Sequence, residues 1–220
     1  FPTRRSSDLH LLTVPKCISE CGGIRIFGRR IKSLVFSTDV AIIKNVNADA
    51  IIAVYPFTPQ PSITQAIISV SEVPVFVGVG GGMTNGDRSV RLAEFSEHQG
   101  ASGVVVNAPI SNETIAKMKA VVDIPVVTTI VSGDMDIAGR LAAGADILNV
   151  SGASRTPEIV TKIRAEFPTV PIIATGGPRE EDILRTIEAG ANAITYTPPT
   201  TGQLFADIMI SHRKNFSHQD

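Results

Sequence analysis

Short apolar runs punctuate this chain at regular intervals, and a stretch with helical spacing follows each. Three runs open on Val-Pro or Ile-Pro: VPVFVGV at 73–79, IPVVTTI at 124–130 and VPIIATG at 170–176. A second series begins with Gly-Ala or a similar pair: NADAIIAVY at 47–55, GASGVVVN at 100–107, GADILNVSG at 144–152 and GANAITYT at 190–197. The two series interleave, and each recurs about every fifty residues, the length of two strand-plus-helix units. With SLVFS at 33–37 the count reaches eight strands. The pattern predicts an α/β fold, a closed all-parallel (β/α)8 barrel in one compact domain. Its strands are expected near 33–37, 50–55, 74–79, 102–107, 125–130, 146–150, 171–175 and 192–196. Runs that are apolar throughout, rather than alternating, suit parallel strands covered on both faces.

The intervening segments read as helices. SITQAIISVS carries Ile63, Ala66, Ile67 and Val70 at helical spacing. Asp39, Asn112 and Thr156 stand where caps are wanted, and Pro157 follows in a first turn. DMDIAGRLAA (134–143) and REEDILRTIEA (179–189) end at Gly144 and Gly190, and SVRLAEFSEHQ ends at Gly100. Each glycine suits a left-handed helix C-cap. TGQLFADIMISHRK (201–214) is expected to close the barrel. Before the first barrel strand, Pro15 to Cys21 reads as a short helix, and IRIF, Gly28-Arg29-Arg30 and IKSLVFS as a small hairpin. Its basic group, Arg25, Arg29, Arg30 and Lys32, then falls at the N-terminal rim, where charge serves solubility and stability.

Composition narrows the classes. Hydrophobic residues make up 43% but aromatics only 5%, with no Trp, which fits an aliphatic core. A net charge of −1 favours neither nucleic acid nor an anionic membrane, and no apolar run is long enough to span a bilayer. Cys17 and Cys21 read as free thiols of a reducing cytosol, so a cytoplasmic location is expected. A metal site there would need more ligands than the neighbourhood holds, and no cofactor is assigned. The leader FPTRRSSDL (1–9) resembles a translated sequencing adapter and is set apart as non-native, with 10–32 an N-terminal extension, 33–215 the barrel and 216–220 a tail.

Chemistry in such a barrel sits past the C-terminal ends of the strands. After the seventh strand, Thr175-Gly176-Gly177 exposes consecutive backbone N–H groups ahead of a helix N-terminus, an arrangement suited to phosphate. The plain alternative is a tight βα turn. After the third strand, Gly78, Gly80, Gly81 and Gly82 allow backbone to approach a ligand, as a lid or a ligand-hugging loop, and match neither P-loop nor dinucleotide fingerprint. Asn107 and Asn149, at the fourth and sixth strand ends, face inward with amides suited to orienting hydroxyls or an oxyanion. Ser37, Thr128 and Thr175 add hydroxyls. Asp39 and Asp134, with Asp136 and Tyr196 behind them, are the candidates for proton transfer, although Asp39 reads equally as a helix cap.

The segment VPIIATGGPREEDILRTIEAGANAITY resembles the corresponding quarter of the phosphate-binding barrels, among them keto-deoxy-phosphogluconate aldolases, N-acylmannosamine-phosphate epimerases and thiamine-phosphate synthases. The resemblance implies phosphate at Thr175, Gly176, Gly177 and Thr197. The small-residue turn those families carry after the eighth strand is here Thr197-Pro198-Pro199-Thr200-Thr201-Gly202, and proline has no N–H to donate. Asn149 stands where the aldolases place a Schiff-base lysine, and no strand ends in Lys, His or Cys, which argues against Schiff-base chemistry. FGRRIKSLVFSTDVAIIKN, NADAIIAVYPFTPQP, GVGGGMTNG and GADILNVSG also resemble a bacterial family of small barrel proteins loosely labelled hydrolases. The expectation that follows is an isomerase, epimerase or lyase acting on a small phosphorylated metabolite. The alternatives are a hydrolase and a barrel that binds a phosphorylated ligand without turnover.

Overall fold

The structure, a computed structural model, describes residues 12–216; the leader 1–9 and the tail beyond Phe216 lie outside the described residues. A hairpin, β1 (Ile24–Ile26) and β2 (Arg29–Ile31), precedes the barrel. The barrel strands are β3 (Ser33–Phe36), β4 (Ala50–Ala53), β5 (Val75–Gly80) and β6 (Gly103–Val106), then β7 (Val126–Ile130), β8 (Ile147–Val150), β9 (Ile172–Thr175) and β10 (Ala193–Tyr196). They pair in parallel in chain order and close through β10 onto β3. All eight fall on the apolar runs that define the repeat.

The helices alternate with these strands. They are α1 (Val40–Lys44), α2 (Pro61–Val70), α3 (Asp87–His98) and α4 (Asn112–Lys119), then α5 (Ile137–Ala142), α6 (Thr156–Glu166), α7 (Glu180–Glu188) and α8 (Thr201–Phe216). Three caps differ in detail from those expected. Ser111, not Asn112, caps α4 by accepting the Thr114 N–H at 3.2 Å. Thr156 is the first helical residue of α6, and its hydroxyl accepts the Gly152 N–H at 3.0 Å. α5 starts three residues later than the pattern suggested, because Asp136 takes the cap and accepts the Gly139 N–H.

The Gly-Ala series has a structural purpose beyond its helix stop. Asp49 accepts the backbone N–H groups of Lys32 and Ser33 at 2.9 and 3.0 Å, Asp146 that of Val126 at 2.8 Å, and Asn192 that of Ile172 at 2.9 Å. Each polar residue opens an even-numbered barrel strand and ties the first amide of its predecessor. Register is thereby pinned at the N-terminal end, where no loop ladder would do it.

Two shells of apolar packing result. Inside the barrel, Leu34, Ile52, Phe76, Val105, Val127, Ile147 and Ile173 form one cluster with Ile24, Ile26 and Ile31 of the hairpin, which plugs the N-terminal end. Gly103 sits against the Phe76 ring: a Cβ there would lie 2.5 Å from Phe76 Cδ1. Outside, the helices cover the opposite faces of the strands.

One expected element does not pack as the repeat implies. α8 forms, but Phe205, Ile208 and Ile210 remain exposed, and closure of the barrel is the work of β10 and β3 alone. The reason lies at the other end of the chain. A 3-10 turn, Lys16–Glu20, lays Cys17 and Ile18 with Cys21 against Ile183 of α7 and Ile194 of β10, covering surface that an eighth helix would take. Both cysteines are unpaired and buried, and burial pushes the Cys21 thiol up to about 11. Among the described residues no helix is long and apolar enough to cross a membrane.

Candidate functional site

Side chains two residues beyond the interior cluster also point inward, because strand side chains alternate faces. Stepping on from Leu34, Ile52, Phe76, Val105, Val127, Ile147, Ile173 and Ala193 gives the mouth layer: Phe36, Val54, Gly78, Asn107, Thr129, Asn149, Thr175 and Thr195. No ionisable side chain stands in that layer. One half is apolar, and the half from Asn107 to Thr195 is built from amides and hydroxyls.

Within the polar half, the Asn149 amide donates to Thr129 Oγ1 at 3.3 Å, and the Thr175 hydroxyl to Ser151 Oγ at 3.3 Å. Thr195 differs. It is 7% exposed, and its hydroxyl has no hydrogen-bond partner. An unmet buried hydroxyl costs about 1–3 kcal/mol. It borders a 930 Å³ cavity together with Thr175, Gly177, Thr197, Pro198 and Pro199. A second cavity of 390 Å³ shares Thr175, Gly177 and Pro178 with the first and reaches Ser154, Arg179 and Arg185.

The strand-seven turn treats its two glycines differently. Gly177 adopts a left-handed φ of 82°, so a side chain there is strained, and it is exposed at the turn before α7. Gly176, however, donates its N–H to the Thr195 carbonyl at 3.3 Å, which removes it from any anion cradle. Glu180, Glu181 and Asp182 fill the first turn of α7 and offset its dipole. Asp182 in turn engages Arg179 and Arg185, whose guanidinium groups hold its carboxyl down to about 2.

Two glycines where β5 ends are tightly packed. A Cβ on Gly80 would lie 1.9 Å from Ser89 Oγ, and one on Gly81 would lie 2.5 Å from the backbone N and O of Asn107. Gly81 also has a φ of 90°. Gly80 and Gly81 are therefore glycine because the chain there passes close to Ser89 and to the Asn107 backbone, whereas a Cβ on Gly82 would meet only the Asn107 amide nitrogen at 4.0 Å.

Of the three carboxylates considered for proton transfer, none stands among the inward residues, and Asp136 is the cap of α5. Asp39 caps α1, accepting the Ala41 and Ile42 N–H groups at 2.8 and 3.3 Å, and its other oxygen accepts the Thr201 hydroxyl. The Thr201 bond, then the two amides, hold this carboxyl below the ordinary range. Asp134 lies on the rim with its side chain 90% exposed and pairs with Lys162 at 3.1 Å. Asn107 and Asn149 do occupy the mouth. Of the hydroxyls, Thr175 does, but Thr128 faces outward into the helical shell and Thr129 takes the inward place. Thr195 was missed; its signal is its place two residues after the interior Ala193. Arg140 was missed as well. It is 9% exposed, and it donates to the carbonyls of Ala108, at 2.7 Å, and Ile110, fixing the loop that carries Asn107.

The Asp39 tie yields a test of its own. Asp39→Ala should lower stability by about 1 kcal/mol at neutral pH, the usual worth of a carboxylate cap. Because the native pKa is depressed, this contribution is complete above about pH 4 and fades as the pH falls through the native value. Urea unfolding at neutral and acid pH should show the variant and parent converging on acidification; a constant gap would rule out the charged cap.

No protein-family model matches the chain, and no curated protein matches it. Solved structures do. The chain is similar to 2,3-dimethylmalate lyase, a PEP mutase/isocitrate lyase superfamily member, at a TM-score of 0.65 and 14% identity over 83% of this chain and 81% of that one. Phosphoenolpyruvate phosphomutase from Streptomyces platensis subsp. rosaceus gives 0.64 and 14%, over 84% and 81%. Phosphonopyruvate hydrolase, in complex with oxalate and Mg++, gives 0.62 and 15%, over 86% and 82%. At such identities the likeness establishes the barrel. A lyase, a mutase and a hydrolase on one scaffold leave the reaction to the site itself.

Proposed function

We propose that the barrel takes a small phosphorylated metabolite at its C-terminal mouth and acts on it as an isomerase, epimerase or lyase without a Schiff-base lysine. The observation that carries this reading is the buried, unpartnered Thr195 hydroxyl beside the Gly177 turn, at the wall of a cavity large enough for a metabolite. Phosphate oxygens would accept from Thr195, Thr197 and the Gly177 N–H, while Asn107 and Asn149 orient the rest of the ligand. The names of the similar barrels, with phosphono and carboxylate substrates, support an anionic ligand. Among the described residues no three His, Cys, Asp or Glu side chains gather as a metal-binding group.

One observation favours a second reading, binding without turnover. The mouth layer holds only amides, hydroxyls and apolar groups; Glu180 and Asp207 stand on the outer wall of the larger cavity, and the Asp39 carboxyl is held below its ordinary range by its own donors. A weak base already engaged by three donors is poorly suited to proton abstraction.

Thr195→Val separates ligand binding from folding. Because the hydroxyl has no partner, its loss should leave stability unchanged or slightly raised. Affinity for a phosphorylated sugar should fall by about tenfold, the worth of one hydrogen bond to a charged group. Calorimetry checks this, and unchanged affinity overturns the phosphate assignment. Proton exchange or product formation followed by NMR with the same ligand then distinguishes the enzyme from the binder.

A further inference from the structure

Resting on the reading of the mouth as the ligand site, we infer that the ligand carries an apolar arm seated between Tyr55, Phe57 and Met83. These residues line a separate cavity of 150 Å³ over the apolar half of the mouth, with Val54 at its base and Asn107 on its far side. Its side-chain hydroxyls are already engaged. The Tyr55 hydroxyl accepts the Gln60 N–H at 2.8 Å, which leaves the ring facing the space, and the Thr84 hydroxyl is bonded to Thr58 at 3.3 Å. Of the lining side chains only the Asn107 amide has no intramolecular partner.

Two large apolar groups flank this space without covering it. Phe57 is 69% and Met83 84% exposed, on the loops after β4 and β5. A side chain at 78 would fill the cavity's inner wall, since a Cβ on Gly78 would stand 3.1 Å from Val54 Cγ2. The volume matches an aryl ring or a branched chain of about five carbons, since a cavity of about this size accommodates benzene. Along the rim, β4 is separated from β10 by β3 alone, so the arm and the phosphate would lie about 10 Å apart, two strand spacings. The substrate class is accordingly an amphiphilic phosphate monoester, anionic at one end and aryl or branched alkyl at the other. Free sugar phosphates lack the apolar end.

Calorimetry on the full chain with 4-phenylbutyl phosphate, whose four-carbon linker can span the two seats, glycerol 3-phosphate and 4-phenylbutanol tests this. 4-Phenylbutyl phosphate should bind at least tenfold more tightly than glycerol 3-phosphate, given about fourfold per buried methylene. The double variant Phe57→Ser/Met83→Ser changes only exposed side chains, so it should fold as the parent does. It should erase the phenylbutyl preference and leave glycerol 3-phosphate affinity unaltered. Equal affinity for the two monoesters, or a preference that survives the double variant, overturns the apolar seat while leaving the phosphate reading standing. 4-Phenylbutanol binding as tightly as 4-phenylbutyl phosphate, and lost in the double variant, supports the seat and removes the phosphate reading. Binding of none of the three overturns both.

Discussion

Phe76→Ala should lower the free energy of unfolding by about 3–5 kcal/mol, enough to bring a domain of ordinary stability near its limit. Phe76 is fully buried and is the largest side chain of the barrel interior, packed where Gly103 leaves room for its ring. The surrounding wall is a closed hydrogen-bonded ladder, which has little freedom to collapse into the void. Chemical denaturation should therefore show a shifted midpoint with the slope preserved. A loss below about 1 kcal/mol would mean that the interior is not packed as described. Gly103→Val should be destabilising for the complementary reason, overpacking against the same ring.

Arg140→Ala should cost about 3 kcal/mol and weaken ligand binding as well. The guanidinium is buried and bridges the Ala108 and Ile110 carbonyls, so its removal strands two acceptors. A hydrogen bond to a charged group is worth about 1.5–3 kcal/mol, and two that share one donor add incompletely. Burial pulls the Arg140 pKa below its usual value, with Asp136 opposing, and the side chain remains cationic at any physiological pH. Arg140→Lys should recover only part of the stability, because an ammonium cannot span both carbonyls in one plane. Denaturation of the two variants beside calorimetry on phosphorylated ligands would show it. Full recovery by lysine would reduce Arg140 to a point charge.

The barrel was legible because its strands are buried on both faces and stand out as uninterrupted apolar runs. The same property hid which way each residue points. VVTTI at 126–130 carries no alternation, so Thr128 read as well as Thr129 for an inward hydroxyl. Only the interior packing of Val127 decides between them. Arg140 acts through main-chain carbonyls, acceptors that every residue possesses, and nothing in its local sequence marks it. Asp39 was readable as a cap from its position before an apolar helix; its bond to Thr201 joins residues 162 positions apart and needed the closed barrel. The placement of α8 depended on competition with the 3-10 turn for one patch, a question of which segment fits better that periodicity does not address.

The hairpin has a consequence for traffic. With Ile24, Ile26 and Ile31 seated among the packed interior side chains, the N-terminal end is closed and ligands can reach only the C-terminal rim. Whatever enters over the rim must leave over it. Two compounds that seat on the same half of the rim therefore queue at the same door, so a product or spent ligand blocks its successor until it departs. A fluorescent reporter on one half would be displaced by occupants of that half, and following both halves takes a reporter for each.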